Sequence, residues 1–317
     1  MAIFTSSNKH LGGTDKTATQ PQTFHYGLVQ KNVLVTGSSG QLGCEIKELT
    51  KNGSPTFHFI FTDVDTLNIT NVAQVSDFVK QNAIQYIINC AAYTAVDKAE
   101  TEIETANAIN ALGAENLARA AAENNCRLIH ISTDYVFDGT ANTPYTENAP
   151  TNPLSAYGKS KLKGEEAVLK YDKQAIIIRT SWLYSTFGAN FVKTMLRLMN
   201  EKDSLNIIAD QRGTPTYAAD LAEMILHILD FSEKNEWKSG IYHFSNQGEA
   251  TWFGFAEKIR ELAKIESCTL VPISTEEYGS TVNRPMYSVL DKSKIEAAFQ
   301  VVILEWEDGL ERYMERR

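Results

Sequence analysis

The sequence is poor in the residues that mark secreted, metal-dependent or membrane proteins. Among 317 residues there are four cysteines, Cys44, Cys90, Cys126 and Cys268, with neither metal-ligand nor disulfide-framework spacing. A reducing cytoplasm is the expected setting. The six histidines form no H-E-x-x-H pair, so no metal motif is visible. No apolar run approaches the ~20 residues of a membrane span. Residues 1–30 lack the basic-then-apolar layout of a secretory signal and read as a polar N-terminal extension outside the fold. Positive charge is in deficit, 30 Lys and Arg against 39 Asp and Glu, a formal net charge of −9. This argues against a general nucleic-acid or anionic-membrane surface. An anionic ligand would need locally placed cations or backbone N–H groups.

What is present is ordinary globular composition, 43% hydrophobic and 22% charged, in a chain long enough for one large or two intimately joined domains. The most informative stretch is Tyr157-Gly158-Lys159-Ser160-Lys161. On a helix, Tyr157 and Lys161 share one face. An ammonium beside a phenol favours the phenolate and draws its pKa towards the working range. One helix face can therefore present a proton donor.

Apolar runs at Lys31–Thr36, Phe57–Phe61, Tyr86–Ala92, Cys126–Ser132 and Ala175–Arg179 predict strands. Helical patterns lie between them: one after Gly43, one over Val72–Gln81 capped by Thr70 or Asn71, and a long one over about Asp97–Asn125. The last, carrying Tyr157 and Lys161, opens at Asn152-Pro153. This alternation predicts an α/β fold, a doubly wound parallel sheet of Rossmann-like form over 31–180. A smaller C-terminal substrate-binding lobe is expected over 181–317, with strands that can return to the first sheet.

The first strand runs into Gly37, Gly40 and Gly43, spaced G-x-x-G-x-x-G. Strand, glycine-rich turn and helix aim backbone N–H groups at a pyrophosphate. Asp63, ending the second strand 20 residues past Gly43, can accept from adenosine ribose hydroxyls. Ala91 and Ala92 let a cofactor lie close to the third strand's end. Thr133 ends the fourth strand, where open parallel sheets bind ligands, and its hydroxyl can bond a substrate carbonyl. His130 and Asn110 read as structural.

With these motifs in hand, the chain resembles the extended short-chain dehydrogenase/reductase family, within it the members that reduce a 4-keto nucleotide sugar. The similar segments are G-S-S-G-Q-L-G at 37–43, N-C-A-A-Y-T-A-V-D-K-A-E at 89–100, S-T-D-Y-V-F-D-G at 132–139 and Y-G-K-S-K-L-K-G-E at 157–165. Further ones are R-T-S-W at 179–182, G-A-N-F at 188–191, G-T-P-T-Y at 213–217 and R-P-M-Y-S-V-L at 284–290. The resemblance implies reduction of the C4 ketone of dTDP-4-dehydro-L-rhamnose to dTDP-L-rhamnose by NADPH or NADH. It implies Tyr157 as proton donor, Lys161 as its electrostatic partner and ribose contact, and Thr133 as the carbonyl-polarising hydroxyl. It adds Gln41, Leu42, Asn68, Ile69 and Tyr93 to the cofactor side, and Asp134, Trp182, Asn190 and Arg284 to the substrate side. It admits a homodimer, and Mg²⁺ held through glutamates at a dimer contact. Glu45 matches one such glutamate, but Ala219 stands where another acid is expected, and Glu45 reads as a solvated helix residue. Asp63 suits a ribose 2′-hydroxyl over a 2′-phosphate. Two alternatives share the fold: a non-catalytic NAD(P)-binding regulatory subunit, which would lose Tyr157, Lys161 or Thr133, and a nucleotide-sugar epimerase or dehydratase, which R-T-S-W and G-T-P-T disfavour.

Overall fold

The computed structural model describes residues 30–279 and 282–317. The N-terminal extension expected over 1–30 thus lies, Gln30 apart, outside the described residues.

Strands β1 (Lys31–Thr36), β2 (Phe57–Thr62) and β3 (Ile84–Asn89) alternate with helices α1 (Gln41–Leu49) and α2 (Val72–Gln81). Val33, Leu34 and Val35 of β1 and Ile87 and Ile88 of β3 are wholly buried, because helices cover both faces of a parallel sheet. Asn71 caps α2, its side chain accepting the Gln74 N–H at 3.1 Å.

After β3 the structure corrects the expected long helix. The chain instead forms α3 (Val96–Ala99), α4 (Ile103–Asn107), one π-wound turn over Ala108–Gly113, and α5 (Ala114–Glu123). Buried Asn110 lies in the wide turn. It accepts the Tyr93 N–H at 2.8 Å and donates to the Tyr93 carbonyl at 3.0 Å and the Ser160 hydroxyl at 2.9 Å. The widened turn turns this carboxamide onto buried polar groups that need partners.

Next come β4 (Arg127–Thr133), α6 (Ala156–Tyr171) and β5 (Ile176–Thr180). Helix α6 opens later than Asn152-Pro153 predicts. Ser155 is its cap, accepting the Gly158 N–H at 3.1 Å, while the Asn152 N–H goes to the Val136 carbonyl at 2.9 Å.

The second half runs β6 (Leu183–Tyr184), α7 (Phe191–Glu201), β7 (Ser204–Ile208), β8 (Arg212–Gly213), β9 (Thr216–Tyr217) and α8 (Ala218–Ser232). It continues with β10 (Gly240–His243), β11 (Ala250–Thr251), α9 (Trp252–Ala263), β12 (Thr269–Ile273), α10 (Thr275–Tyr278), α11 (Ser293–Phe299) and α12 (Trp306–Arg316). Strand β10 joins the first five in one parallel sheet of order β10-β5-β4-β3-β1-β2. Residues of α8, among them Leu221 and Ile225, share a core with Val33 and Val35. A separate core includes Tyr184, Tyr217, Phe255, Trp306 and Tyr313 of the second half. From β1 the chain passes to β2 on one side and then β3 on the other. A ligand crevice is expected beyond the carboxyl ends of strands at such a switch point.

Candidate active site

A crevice lies there. Gly37 has φ +65°, and a Cβ on it would sit 2.6 Å from Ala91 Cα. A Cβ on Gly43 would meet the Gly37 carbonyl oxygen at 2.4 Å. Both glycines are required for the turn to press this closely on itself and on the end of β3. No side chain caps the N-terminus of α1, and its first turn holds no acid, so backbone donors there are available to an anion. Asp63 accepts the Ser39 N–H and the Val64 N–H, each at 2.9 Å. Burial opposes ionisation, but these bonds hold its carboxyl below the usual range. Gly37, Gly40, Asp63, Asn68, Ile69, Ala91 and Ala92 all line this end of the groove, and among the described residues no Lys or Arg lines it. The arrangement fits a dinucleotide: a glycine cradle, an open helix N-terminus and an ionised carboxylate at ribose distance along the chain. Tyr93 does not line it. Its N–H is taken by Asn110, and its phenol donates to Glu102 at 2.8 Å.

Through Gly40, Cys90 and Ala92 the groove continues into a deeper cleft of 590 Å³. Thr133, Asp134, Tyr157, Lys161 and Trp182 line it, with Gln41, Leu42 and Gly43. The three residues proposed for catalysis come from β4 and α6, yet meet in one cavity. Tyr157 packs edge-on against Tyr135, ring centroids 5.5 Å apart. Burial pushes its phenol well above the ordinary range, with the neighbouring Thr133 side chain working the other way.

Here the expectation drawn from Tyr157 and Lys161 needs correcting. The two share a face, but the Lys161 ammonium donates to the Ile131 carbonyl at 2.6 Å and does not offset the burial of the phenol. Burial lowers Lys161 itself to about 8, against the charge of Glu165 one turn further on. Glu165 is held by Arg179 Nε and Nη2 at 2.9 and 2.7 Å and by the Ser132 hydroxyl at 2.5 Å. Both side chains of this ion pair are almost wholly buried. His130 is also buried, one ring nitrogen on Asn89 at 2.9 Å.

Trp182 has φ +47°, a backbone conformation rare for a bulky residue and found mainly where packing enforces it. Its indole stacks on Trp252, centroids 3.6 Å apart and planes 8° apart. On the side of β8, a Cβ on Gly213 would lie 2.5 Å from the indole. Trp252 in turn donates to Gln211 at 3.2 Å. Neither Trp252 nor Gln211 carried a motif signal, because only the fold brings them to Trp182.

Asn190 and Arg284 do not line the cleft. The Asn190 side chain caps α7 and donates to Gln41 at 3.1 Å and to the Ser185 carbonyl at 2.7 Å. Arg284 pairs with Asp97 at 2.7 Å and reaches the Tyr135 phenol at 3.4 Å, which places it beside the cleft wall. Glu45 is not the solvated residue expected. It is wholly buried, accepting from Ser185 at 2.6 Å and from Arg316 at 2.6 Å. A guanidinium already neutralises it, and among the described residues no cluster of three His, Cys, Asp or Glu could hold a metal ion. Mg²⁺ does not fit at Glu45.

Residues 31–317 match the model of the RmlD substrate binding domain family. The chain belongs to that family. Over 285 residues it is 40% identical to a dTDP-4-dehydrorhamnose reductase of Aggregatibacter actinomycetemcomitans, covering 88% of this chain and 96% of the relative. It is 39% identical, over 90% of its own length and 97% of the relative's, to the spore coat polysaccharide biosynthesis protein SpsK of Bacillus subtilis. A crystal structure of the Bacillus anthracis dTDP-4-dehydrorhamnose reductase in complex with NADP superposes with a TM-score of 0.86 at 40% identity, covering 91% of this chain and all of that one. Membership of the RmlD family agrees with the parallel sheet and flanking helices seen here. Among the described residues, no helix is long and apolar enough to cross a membrane.

Proposed function

We propose that this protein reduces the C4 ketone of dTDP-4-dehydro-L-rhamnose to dTDP-L-rhamnose with NADPH or NADH, the last step of dTDP-rhamnose biosynthesis, in the cytoplasm. The observation that carries the reading is the convergence of Tyr157, Lys161 and Thr133 on a cleft continuous with the glycine-turn groove. It occurs in a chain whose full-length relatives carry that name.

The N-terminus of α1 would hold the diphosphate, and Asp63 the adenosine ribose. The bound dinucleotide supplies the hydride. Thr133 and Tyr157 face the ketone oxygen, and Tyr157 gives it a proton as negative charge develops. A positioned acid of this kind contributes about 10²–10⁴ in rate. Lys161 supplies positive charge beside the nicotinamide ribose, and its neighbour Glu165 keeps that charge in place. Trp182 and Asp134 border the sugar.

The test is NAD(P)H oxidation with dTDP-4-dehydro-L-rhamnose. Turnover is expected with this ketone and much less with 4-keto sugars of other configuration. Equal turnover of the others would overturn the substrate assignment, and NAD(P)H binding without turnover would favour a non-catalytic role.

A further inference from the structure

The hydrogen count at Thr133 raises a difficulty for a carbonyl-polarising hydroxyl. A threonine has one O–H to donate and two lone pairs. Here the hydroxyl donates to Asp134 Oδ1 at 3.0 Å, and the oxygen accepts the Tyr135 N–H at 3.2 Å. While Asp134 is a carboxylate it claims the only hydrogen Thr133 has, and a ketone in the cleft would meet lone pairs.

Asp134 is also a poor place for a charge. It is 2% exposed, and its Oδ2 is buried with no partner in hydrogen-bond geometry among the described residues. Tyr135 on its own segment, Tyr157 on α6 and Ser288 on the returning loop face it. The nearby cation, Arg284, pairs with Asp97 and Tyr135. A buried carboxylate with one bare oxygen and no ion pair among the described residues is costly, and the neutral acid is the alternative.

We infer that Asp134 works as its neutral acid, donating to Thr133 Oγ and thereby turning the Thr133 hydrogen towards the substrate ketone. The inference rests on the ketone reduction proposed above. Both Thr133 lone pairs are then filled, by the Tyr135 N–H and the Asp134 O–H, and the hydrogens of Thr133 and Tyr157 both serve the ketone oxygen. Asp134 keeps its proton through the reaction. It is a positioning residue, acting through Thr133. Burial raises its carboxyl to about 6, opposed by the Ser288 and Thr133 side chains and the backbone of Asp134 and Tyr135. A sugar that excludes water from the cleft raises it further.

The active form is the protonated one, so activity is full at low pH and declines as pH rises through the titration of Asp134. This decline is distinct from the one near 8 where Lys161 discharges. In the unmodified protein kcat/KM, which reports the free enzyme, is expected to fall about 25-fold between pH 5.5 and 7.5 for a carboxyl titrating at about 6, and kcat to fall at higher pH. In Asp134→Asn the amide donates to Thr133 at every pH. The first decline should vanish, with turnover at pH 5.5 within about tenfold of the parent. Asp134→Leu, with no donor, should lose about 10²-fold at all pH. A parent profile flat from pH 5.5 to 7.5 in both parameters overturns the inference, as does an Asp134→Asn variant that keeps the decline or matches Asp134→Leu. The parent profile decides even if neither variant folds. A parent that binds NAD(P)H and reduces no ketone defeats the functional reading itself, and this inference with it.

Discussion

The end of the cleft proposed for the cofactor is shaped chiefly by backbone, and the end proposed for the substrate by side chains gathered from distant parts of the chain. At one end Gly37, Gly40 and Gly43 let the turn fold against Ala91, and an uncapped helix start offers N–H groups. At the other, Trp182 is clamped between Trp252 and Gly213, and behind the wall Arg284 reaches Tyr135, 149 residues away in sequence. Backbone donors need glycine in fixed places, and so leave a spacing in the sequence. A side-chain wall leaves none, because any fold that brings the right groups together will serve.

The contrast can be broken or sharpened by substitution. The largest effect is expected at the junction of the two ends: Tyr157→Phe should lower kcat by about 10²–10⁴, with NADH affinity, read by cofactor fluorescence, within twofold of the parent. Next comes Gly43→Ala. Its Cβ would meet backbone atoms of Gly37 and Ser38 at 2.4 and 2.6 Å. The turn must shift, with about 1–3 kcal/mol lost in stability and weaker cofactor binding, while the sugar KM at saturating cofactor changes little. Gly213→Ala is the mirror experiment. It pushes the Trp182 indole from its slot and should raise the sugar KM several-fold without moving the cofactor Kd. If either glycine variant impaired cofactor and sugar alike, the division drawn here would fail. The smallest effect is at Asp63. With no cation among the described residues lining that end of the groove, NADH should be preferred in the parent, and Asp63→Ala should shift the ratio of kcat/KM values a few-fold towards NADPH.

The same contrast explains what could be read in advance. Five strands announce themselves as short apolar runs because the sheet is covered on both faces. The sixth, β10, is legible as a strand-like run over Ile241–Phe244 that can return to the first sheet, but nothing local says that it pairs with β5. The Ala- and Glu-rich stretch after β3 has the composition of a continuous helix. Its π-wound turn follows from what Asn110 meets, Tyr93 and Ser160, and neither is local. Asn152 and Ser155 are both competent caps. Gly158 settles the choice, pressed so close to the Tyr135 carbonyl that a Cβ would lie 2.3 Å from it. The spacing of Tyr157 and Lys161 predicted a shared face, but the direction of the ammonium depended on the Ile131 carbonyl. Glu45 looked solvated because the residue that buries its charge, Arg316, is 271 positions away.

The most direct test follows the transferred hydrogen. With NADPH or NADH carrying deuterium at the transferable position and dTDP-4-dehydro-L-rhamnose as acceptor, the product should be dTDP-L-rhamnose with one deuterium on sugar C4. Oxidation of the labelled cofactor with deuterium elsewhere, or none in the sugar, would contradict a reduction at the ketone facing Tyr157 and Thr133.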